Sequence, residues 1–352
     1  MLCAIIDDSF LSSTFHPQIN PSLSTLNFYS VSITPGGVSK VCAALCALST
    51  AQSLALGPRI DKLIFFHNGI GDAGADECAR VMRVSTWLQT LDLTACAISP
   101  QGAASLASAL HVSTSIQIID LSENDIGSDG AKSIGAALRV NSSLEKLYLN
   151  VNPIGIDGVE ELADALKVNC SLRELYIDAI EMDSVGAAYF ADALQLNSNL
   201  RVLHMADNVV GDAGAVLLGN ALRVNSGLED FSLDQNRIGN HGAASLGEAL
   251  RVNARLRILW LYCNEIGDPG AVVLANALRV NSTLSCMRLG YNEIGDAGAI
   301  ALGDALCANS AITMFDLPGN KIGPLGVASI RKAQCENSRL EPVNLHGNPG
   351  NV

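Results

Sequence analysis

The sequence predicts a right-handed α/β solenoid in which short parallel strands alternate with helices. The first observation is a repeat, because an apolar residue opens a new unit every 28 residues from Ile60 to Leu340. A fixed period of this size is typical of a solenoid. The second observation is that the first half of each unit has the apolar spacing of a strand and the second half that of a helix. The third is a turn motif, N-x-I-G, between the two halves.

The strand half of each unit follows the pattern L-x-x-L-x-L, as at Leu144, Leu147 and Leu149. The last two leucines alternate with polar residues, which is the periodicity of a short strand with one buried side. Successive units must run in the same direction, so we expect a parallel ladder of about eleven or twelve strands.

The helix half places apolar residues at helical spacing, as at Ala215, Leu218 and Leu222. A glycine of the turn motif usually precedes it, and Ser99 or Asp183 can replace that glycine as an N-cap. A cationic residue such as Arg223 follows at the end of the helix, where its positive charge interacts favourably with the negative end of the helix dipole. Asn225 follows two residues later, and we predict that it is a left-handed C-cap or a turn residue.

Asparagine recurs at the ninth position of the units, and Cys96 replaces it once. A carboxamide has donors and an acceptor, so a buried column of asparagines can bond the backbone where each strand ends. We therefore predict a structural asparagine ladder without a catalytic role. Its members are Asn68, Asn124, Asn152, Asn208, Asn236, Asn264, Asn292, Asn320 and Asn348.

The regularity divides the chain into three predicted parts: an N-terminal cap at 1–22, a degenerate first repeat at 23–59, and regular units at 60–352. Ten of the regular units are complete, and the last stops after a predicted strand and turn. One unit, 172–199, is irregular because Ile180 replaces the ninth-position asparagine. This irregularity is either functional or tolerated drift, and the sequence leaves both interpretations open.

The combined pattern L-x-x-L-x-L-x-x-N-x-I-G-D-x-G-A, followed by an L-x-x-A-L helix, resembles the leucine-rich repeat of the ribonuclease-inhibitor-like class. The resemblance extends over nearly the whole chain and includes the repeat regions of NOD-like receptors. It implies a horseshoe with a parallel sheet on the concave side and helices on the convex side.

Composition and short motifs exclude several classes of partner and cofactor. The net charge of −13 disfavours nucleic acid as a partner. The ten cysteines are dispersed and no secretory signal or long apolar segment stands out, so we expect a reduced, cytoplasmic protein without a membrane anchor. Gly69-Ile-Gly71-Asp-Ala-Gly74 matches a dinucleotide-binding motif, but later units show that it is the turn of the repeat. We expect no cofactor and no metal, and the oligomeric state stays open.

The fifth, seventh and eighth positions of the units should project from the concave side of the sheet. Aromatics make up only 5% of the chain, yet four of its six tyrosines and one of its two tryptophans fall there. Aspartates accompany them, which favours a basic partner. The alternatives are that the rings merely stack along the ladder and that the acids confer solubility. The candidate partner-binding residues are Tyr148, Tyr176, Asp178, His204, Asp207, Asp234, Trp260, Tyr262, Arg288 and Tyr291.

These observations predict a non-enzymatic scaffold that binds a protein, of basic character, through the concave face. Two alternatives follow from the family resemblance. One is a regulator of a GTPase, similar to Ran GTPase-activating proteins, although the arginines between Ile60 and Asp157 all fall in predicted helices. The other is the ligand-sensing repeat region of a longer, NOD-like receptor.

Overall fold

The computed structural model describes residues 24–51 and 59–351, and these form two compact units, Met1–Tyr176 and Ile177–Val352. The predicted N-terminal cap at 1–22 lies outside the described residues. The division at 23–59 and 60–352 stays a prediction.

The first unit alternates strands and helices in chain order. Its strands are β1 (Thr25–Asn27), β2 (Lys62–Ile64), β3 (Thr90–Asp92), β4 (Ile118–Asp120), β5 (Lys146–Tyr148) and β6 (Glu174–Tyr176). Its helices are α1 (Pro35–Ala51), α2 (Gly71–Val84), α3 (Pro100–Leu110), α4 (Gly127–Leu138) and α5 (Gly155–Leu166).

The second unit has the same alternation. Its strands are β7 (Val202–His204), β8 (Asp230–Ser232), β9 (Ile258–Trp260), β10 (Cys286–Arg288) and β11 (Met314–Asp316). Its helices are α6 (Ser184–Leu196), α7 (Gly211–Leu222), α8 (Asn240–Leu250), α9 (Asp268–Leu278), α10 (Asp296–Ala308) and α11 (Pro324–Glu336).

Within each unit, every strand pairs in parallel with the next strand in the chain. The register joins equivalent positions of the repeat, as in Leu63 with Leu91 and Phe231 with Leu259. The middle residue of each strand is buried against the helices, whereas its neighbours are mostly half-exposed. The predicted alternation of parallel strands and helices is therefore confirmed.

The helices begin in two different ways. Gly71, Gly127, Gly155 and Gly211 have positive φ between 59° and 66°, a conformation that suits glycine. The other starts from α3 onward have an extended residue before the helix. Ser99 and Asp183 occupy this place and accept hydrogen bonds from backbone N–H groups of the first turn, as N-caps do.

The ninth-position asparagines are buried and bond the backbone of two successive repeats. Asn124 shows the pattern, because its Nδ2 donates to the carbonyls of Leu93 and Leu121, both at 2.9 Å. Its Oδ1 accepts from the N–H groups of Cys96 and Ile98 at 3.0 Å. Cys96 keeps part of this function, since its Sγ contacts the carbonyl oxygen of Phe65 at 3.2 Å. Each carboxamide thus ties the end of one strand to the turn of the preceding repeat.

A second column of asparagines lies after the helices. The prediction of a left-handed C-cap is wrong there, because none of these residues has positive φ. Asn225 instead donates to the carbonyls of Leu194 (2.6 Å) and Asn197 (2.9 Å) and accepts from Leu228 N–H (2.8 Å). It is therefore a turn residue whose side chain joins two repeats. The column consists of Asn141, Asn169, Asn197, Asn225, Asn253, Asn281, Asn309 and Asn337, all buried.

In the irregular repeat, the turn after the strand and the start of the helix are still hydrogen-bonded. The next repeat supplies the acceptor for the turn, and an aspartate caps the helix. Ile180 is fully buried among the apolar residues, and its N–H donates to Asn208 Oδ1 at 3.2 Å, as does that of Met182 at 2.9 Å. Asp183 caps α6 in place of the usual glycine. These contacts explain how the fold accommodates the sequence change.

The last part of the chain differs from the prediction of a terminal strand. Among the described residues no strand follows β11, although Leu317 N–H donates to Asn344 O (3.0 Å) and Gly319 N–H donates to His346 O (2.8 Å). These bonds occupy part of the β11 edge without forming a complete ladder.

Candidate protein-binding face

We define the strand face as the side of each sheet that points away from the helices, formed by the third, fifth, seventh and eighth positions of the repeats. The alternation of a strand turns the third and fifth residues to this side when the fourth is in the core. The ten predicted site residues divide between the units: Tyr148 and Tyr176 lie in the first, and the other eight lie in the second.

In the first unit, Tyr148 and Tyr176 form a stacked pair. They are directly opposite on β5 and β6, with ring centroids 4.3 Å apart and an interplanar angle of 9°. Lys146 Nζ and Glu174 Oε1, opposite each other at the third position, form an ion pair at 2.8 Å. Tyr176 Oη donates to Glu174 Oε2 at 3.1 Å. Burial, followed by the Glu174 carboxylate, raises the pKa of the Tyr176 hydroxyl, so the hydroxyl stays neutral at physiological pH.

In the second unit, Trp260 is held between a carboxylate and a cation. Its Nε1 donates to Asp230 Oδ1 at 2.8 Å, and the Arg288 guanidinium carbon lies 4.6 Å from the centre of its ring. Such cation–π contacts strengthen as water is excluded. The imidazole of His204 meets the indole edge-on at 6.3 Å, across the small, buried Ser232. The half-buried indole therefore has a fixed orientation on the strand face.

Tyr262 and Tyr291 form a second aromatic group in this unit, with ring centroids 4.9 Å apart and tilted by 53°. Two glycines leave room for the rings. A Cβ at Gly290 would lie 2.9 Å from the Tyr262 ring, and one at Gly319 would lie 2.7 Å from the Tyr291 ring. Tyr291 is the more accessible of the pair, with 49% of its surface exposed.

The three predicted aspartates do not have equal roles. Asp178 Oδ1 accepts from Ala206 N–H at 2.6 Å, and Asp234 Oδ1 accepts from Tyr262 N–H at 2.7 Å, so both carboxylates also bond to the backbone. Burial raises the pKa of Asp178 and raises that of Asp234 to about 6, against the opposing effect of these N–H groups. Only Asp207 is fully at the surface. Asp207 is therefore the carboxylate best placed for long-range attraction.

The third position of the repeat, which the sequence prediction did not include, also belongs to the strand face. Asp230, Glu174 and Lys146 lie there. Asp230 accepts a hydrogen bond from the Trp260 indole, Glu174 accepts one from the Tyr176 hydroxyl, and Lys146 forms an ion pair with Glu174. The same strand alternation that turns the fifth position outward also turns the third outward, so the pattern could have identified them. Met314, at the same position, contacts the Arg288 Nη2 atom at 3.4 Å.

In the described part of the chain, no group of three or more His, Cys, Asp or Glu side chains is arranged to hold a metal ion. None of the helices described above combines the length and the apolar character that a membrane crossing requires.

Comparison with known proteins supports the repeat assignment. The family described as "Leucine Rich repeat" matches six segments, whose starting points are separated by 28 residues or a multiple of it. They are residues 84–107, 112–135, 140–163, 196–219, 252–275 and 280–303. A search of curated protein sequences finds no match.

Among solved structures, "Leiomodin-1 Actin-Binding Site 2 (ABS2)" matches 30% of this chain at 25% identity. The match spans 63% of that structure with a TM-score of 0.28, which is too low to carry an argument. The six family matches coincide with the repeating strand–helix units, and leucine-rich repeats are a general scaffold for protein interaction. The chain therefore contains leucine-rich repeats.

Proposed function

We propose that this protein is a non-enzymatic scaffold that binds a protein partner through its strand face. The observation that carries the proposal is the arrangement around Trp260. The hydrophobic core does not need this residue, since the neighbouring Leu259 supplies the buried contact. Nevertheless the indole is oriented by Asp230, Arg288 and His204.

A preoriented aromatic ring is suited to binding, because ordering it on association costs little conformational entropy. Tryptophan, tyrosine and arginine are also the residue types most often found at the energetic centre of interfaces. Trp260, Arg288, Tyr262 and Tyr291 bring these three types together in the second unit. The tyrosine pair in the first unit, Tyr148 and Tyr176, offers a flat aromatic surface of the same kind.

The charge of the strand face favours a partner with basic residues. Asp207 is exposed, and Asp178 and Asp234 would be relieved of their unfavourable burial by a nearby cation. Complementary charge chiefly raises the rate of association and makes it depend on salt. Replacing the three aspartates with asparagine should therefore slow association and weaken its salt dependence, and Asp207→Asn alone should account for most of that change.

The decisive experiment is a comparison of Trp260→Ala with the wild-type protein. Partners are captured from an extract of the native organism, identified by mass spectrometry, and then titrated against both purified proteins. We expect Trp260→Ala to weaken binding by about 2 kcal/mol or more, roughly 30-fold in Kd. Leu325→Ala is the control, because Leu325 is also a large apolar residue, 69% exposed, at the start of α11.

If Trp260→Ala binds like the wild type while Leu325→Ala loses binding, the helix side carries the function and the proposal is wrong. The captured partner also tests regulation of a GTPase. A marked acceleration of GTP hydrolysis by the wild-type protein would contradict a purely binding role.

A further inference from the structure

Each helix from α6 to α9 is followed or ended by an exposed aliphatic side chain, at the edge where the chain turns back towards a strand. These residues, Leu196, Val224, Val252 and Val280, are here called the edge ridge. Their exposed fractions are 68%, 64%, 57% and 59%, respectively. Large apolar side chains that are mostly exposed at the same place in successive repeats form a continuous feature rather than isolated exceptions.

The fold itself does not require aliphatic residues on the edge ridge. The equivalent positions after Val280 are Ala308 and Glu336, so a small or charged residue is accommodated there. The turn is closed by backbone and asparagine contacts, such as Val224 N–H to Ala221 O at 3.1 Å. Turns also favour glycine, asparagine, aspartate and serine over branched apolar residues.

Arginines line the edge ridge directly. Arg223, Arg251 and Arg279 each precede one of its valines. Among the described residues no carboxylate lies within ion-pair distance of Arg223. Arg251 and Arg279 are held only loosely, at 3.6 Å from Glu248 and 3.9 Å from Asp304. Surface pairs of this length contribute little, so these cations are available to a partner.

Three more arginines lie in the segments that lead from the ridge to the strands. Arg201, Arg255 and Arg257 surround the single carboxylate of Glu229. Asp192 is exposed on α6 at the repeat position that Glu248 and Asp304 occupy further along the chain. The six arginines of this edge thus face four carboxylates, those of Asp192, Glu229, Glu248 and Asp304, which leaves an excess of two positive charges (6 − 4) in a chain whose net charge is −13.

We infer that the edge ridge of the second unit is a docking site for an acidic amphipathic protein segment. Its apolar stripe would lie along the ridge, and its carboxylates would meet the flanking arginines. One aliphatic residue per repeat makes a narrow row, which fits an elongated segment better than a flat membrane. Surface-binding membrane elements also usually carry tryptophan, phenylalanine or leucine, and of these the row has only Leu196. The site is separate from the strand face and has the opposite charge preference.

The probe for the test is a fluorescein-labelled 18-residue peptide designed as an amphipathic helix, with leucines on one face and glutamates on the other. Fluorescence anisotropy measures its binding to the full chain. We expect saturable binding that weakens at least tenfold in Val224→Ser/Val252→Ser and in Arg223→Glu/Arg251→Glu. A peptide with lysines in place of the glutamates should bind at least tenfold more weakly.

The controls use exposed residues away from the ridge. Val185 and Val209 are 50% and 45% exposed at the opposite edge of the same unit, so Val185→Ser/Val209→Ser should leave binding unchanged. Lys332→Glu on α11 is the matched charge control. Circular dichroism verifies that every variant is folded.

Absence of saturable peptide binding, or equal loss in the ridge and control variants, would overturn the inference. Vesicles containing phosphatidylserine and phosphatidylcholine form a separate arm. Ridge-dependent binding to these vesicles without binding to the peptide would identify a membrane surface as the partner and would also overturn it. Because Trp260→Ala leaves the edge ridge intact, that variant should bind the peptide like the wild type.

Discussion

The asparagine ladder allows a prediction of stability in which two chemically identical substitutions should differ in magnitude. Asn236 is fully buried. Its Nδ2 donates to the carbonyls of Met205 and Asp234, both at 2.9 Å, and its Oδ1 accepts from Val210 N–H at 3.2 Å. Asn236→Ala removes all three bonds, but the cost depends on which of the remaining backbone groups has another partner.

Both carbonyls keep a second donor after Asn236→Ala. The Met205 oxygen still accepts from Asn208 Nδ2 at 3.1 Å, and the Asp234 oxygen still accepts from Asp207 N–H at 2.9 Å. Only the N–H of Val210 loses its acceptor. A buried donor without a partner costs about 1–3 kcal/mol, so we expect Asn236→Ala to lower the free energy of unfolding by that amount.

Asn208→Ala should cost more because the Oδ1 of Asn208 accepts from two N–H groups. These belong to Ile180 at 3.2 Å and Met182 at 2.9 Å. Two unpartnered donors should cost roughly twice as much as one, within the limits of additivity for neighbouring groups.

Chemical denaturation followed by circular dichroism measures both variants, with Asn220→Ala as the control. Asn220 is exposed on α7, so the same substitution there should be nearly neutral. Repeat proteins can unfold in parts, and amide exchange of Val210, Ile180 and Met182 therefore supplies a local measurement. The reasoning would be refuted if both ladder variants unfolded at the midpoint of Asn220→Ala.

Two further predictions follow from the pKa of a carboxyl group and from backbone geometry. The pKa of Asp234 is raised from 3.8 to about 6, so ionisation of this carboxyl group destabilises the folded wild-type protein as the pH rises from about 4 to 6. Asp234→Asn has no carboxyl group to ionise and should therefore gain stability relative to the wild type over that range. The measurement is the change in thermal midpoint between pH 4 and pH 7 for both proteins. Gly267 is an extended N-cap with φ −98° and no atom closer than 3.5 Å to an added Cβ, whereas Gly211 has φ +60°. Gly267→Ser should raise the thermal midpoint slightly, and Gly211→Ser should lower it by the equivalent of about 1 kcal/mol; the opposite order would contradict this account of the helix starts.

Most of the fold could be predicted because the same pattern of apolar, turn and capping residues recurs in nearly every repeat. Leu147 and Leu175, for example, are predicted core residues and are 1% exposed. The helix starts at Ser99 and Asp183 were also predictable, since their side chains act on their own first turn. The C-terminal residues were less predictable, because a strand depends on pairing along its length and the segment after β11 makes only part of that ladder.

The candidate site was predictable only as columns of residues. The period of 28 places Trp260 and Arg288 one repeat apart and on the same side, but it does not specify that the guanidinium stacks on the indole. Nor does it specify that the Asp230 carboxylate accepts the indole N–H, because rotamers are chosen by neighbours in space.

The period, the alternation of strand and helix, and the identity of the core residues follow from the sequence alone, because they depend on contacts within a repeat and between adjacent repeats. Which exposed side chains bind one another, and how readily each carboxyl group ionises, follows only from the packed structure. Asp178 and Asp234 carry the same formal charge as Asp207 in the sequence, yet burial raises their pKa values, and Asp207 remains at the surface. Desolvation and hydrogen bonding depend on the complete surroundings of a group, and those surroundings exist only once the repeats have packed.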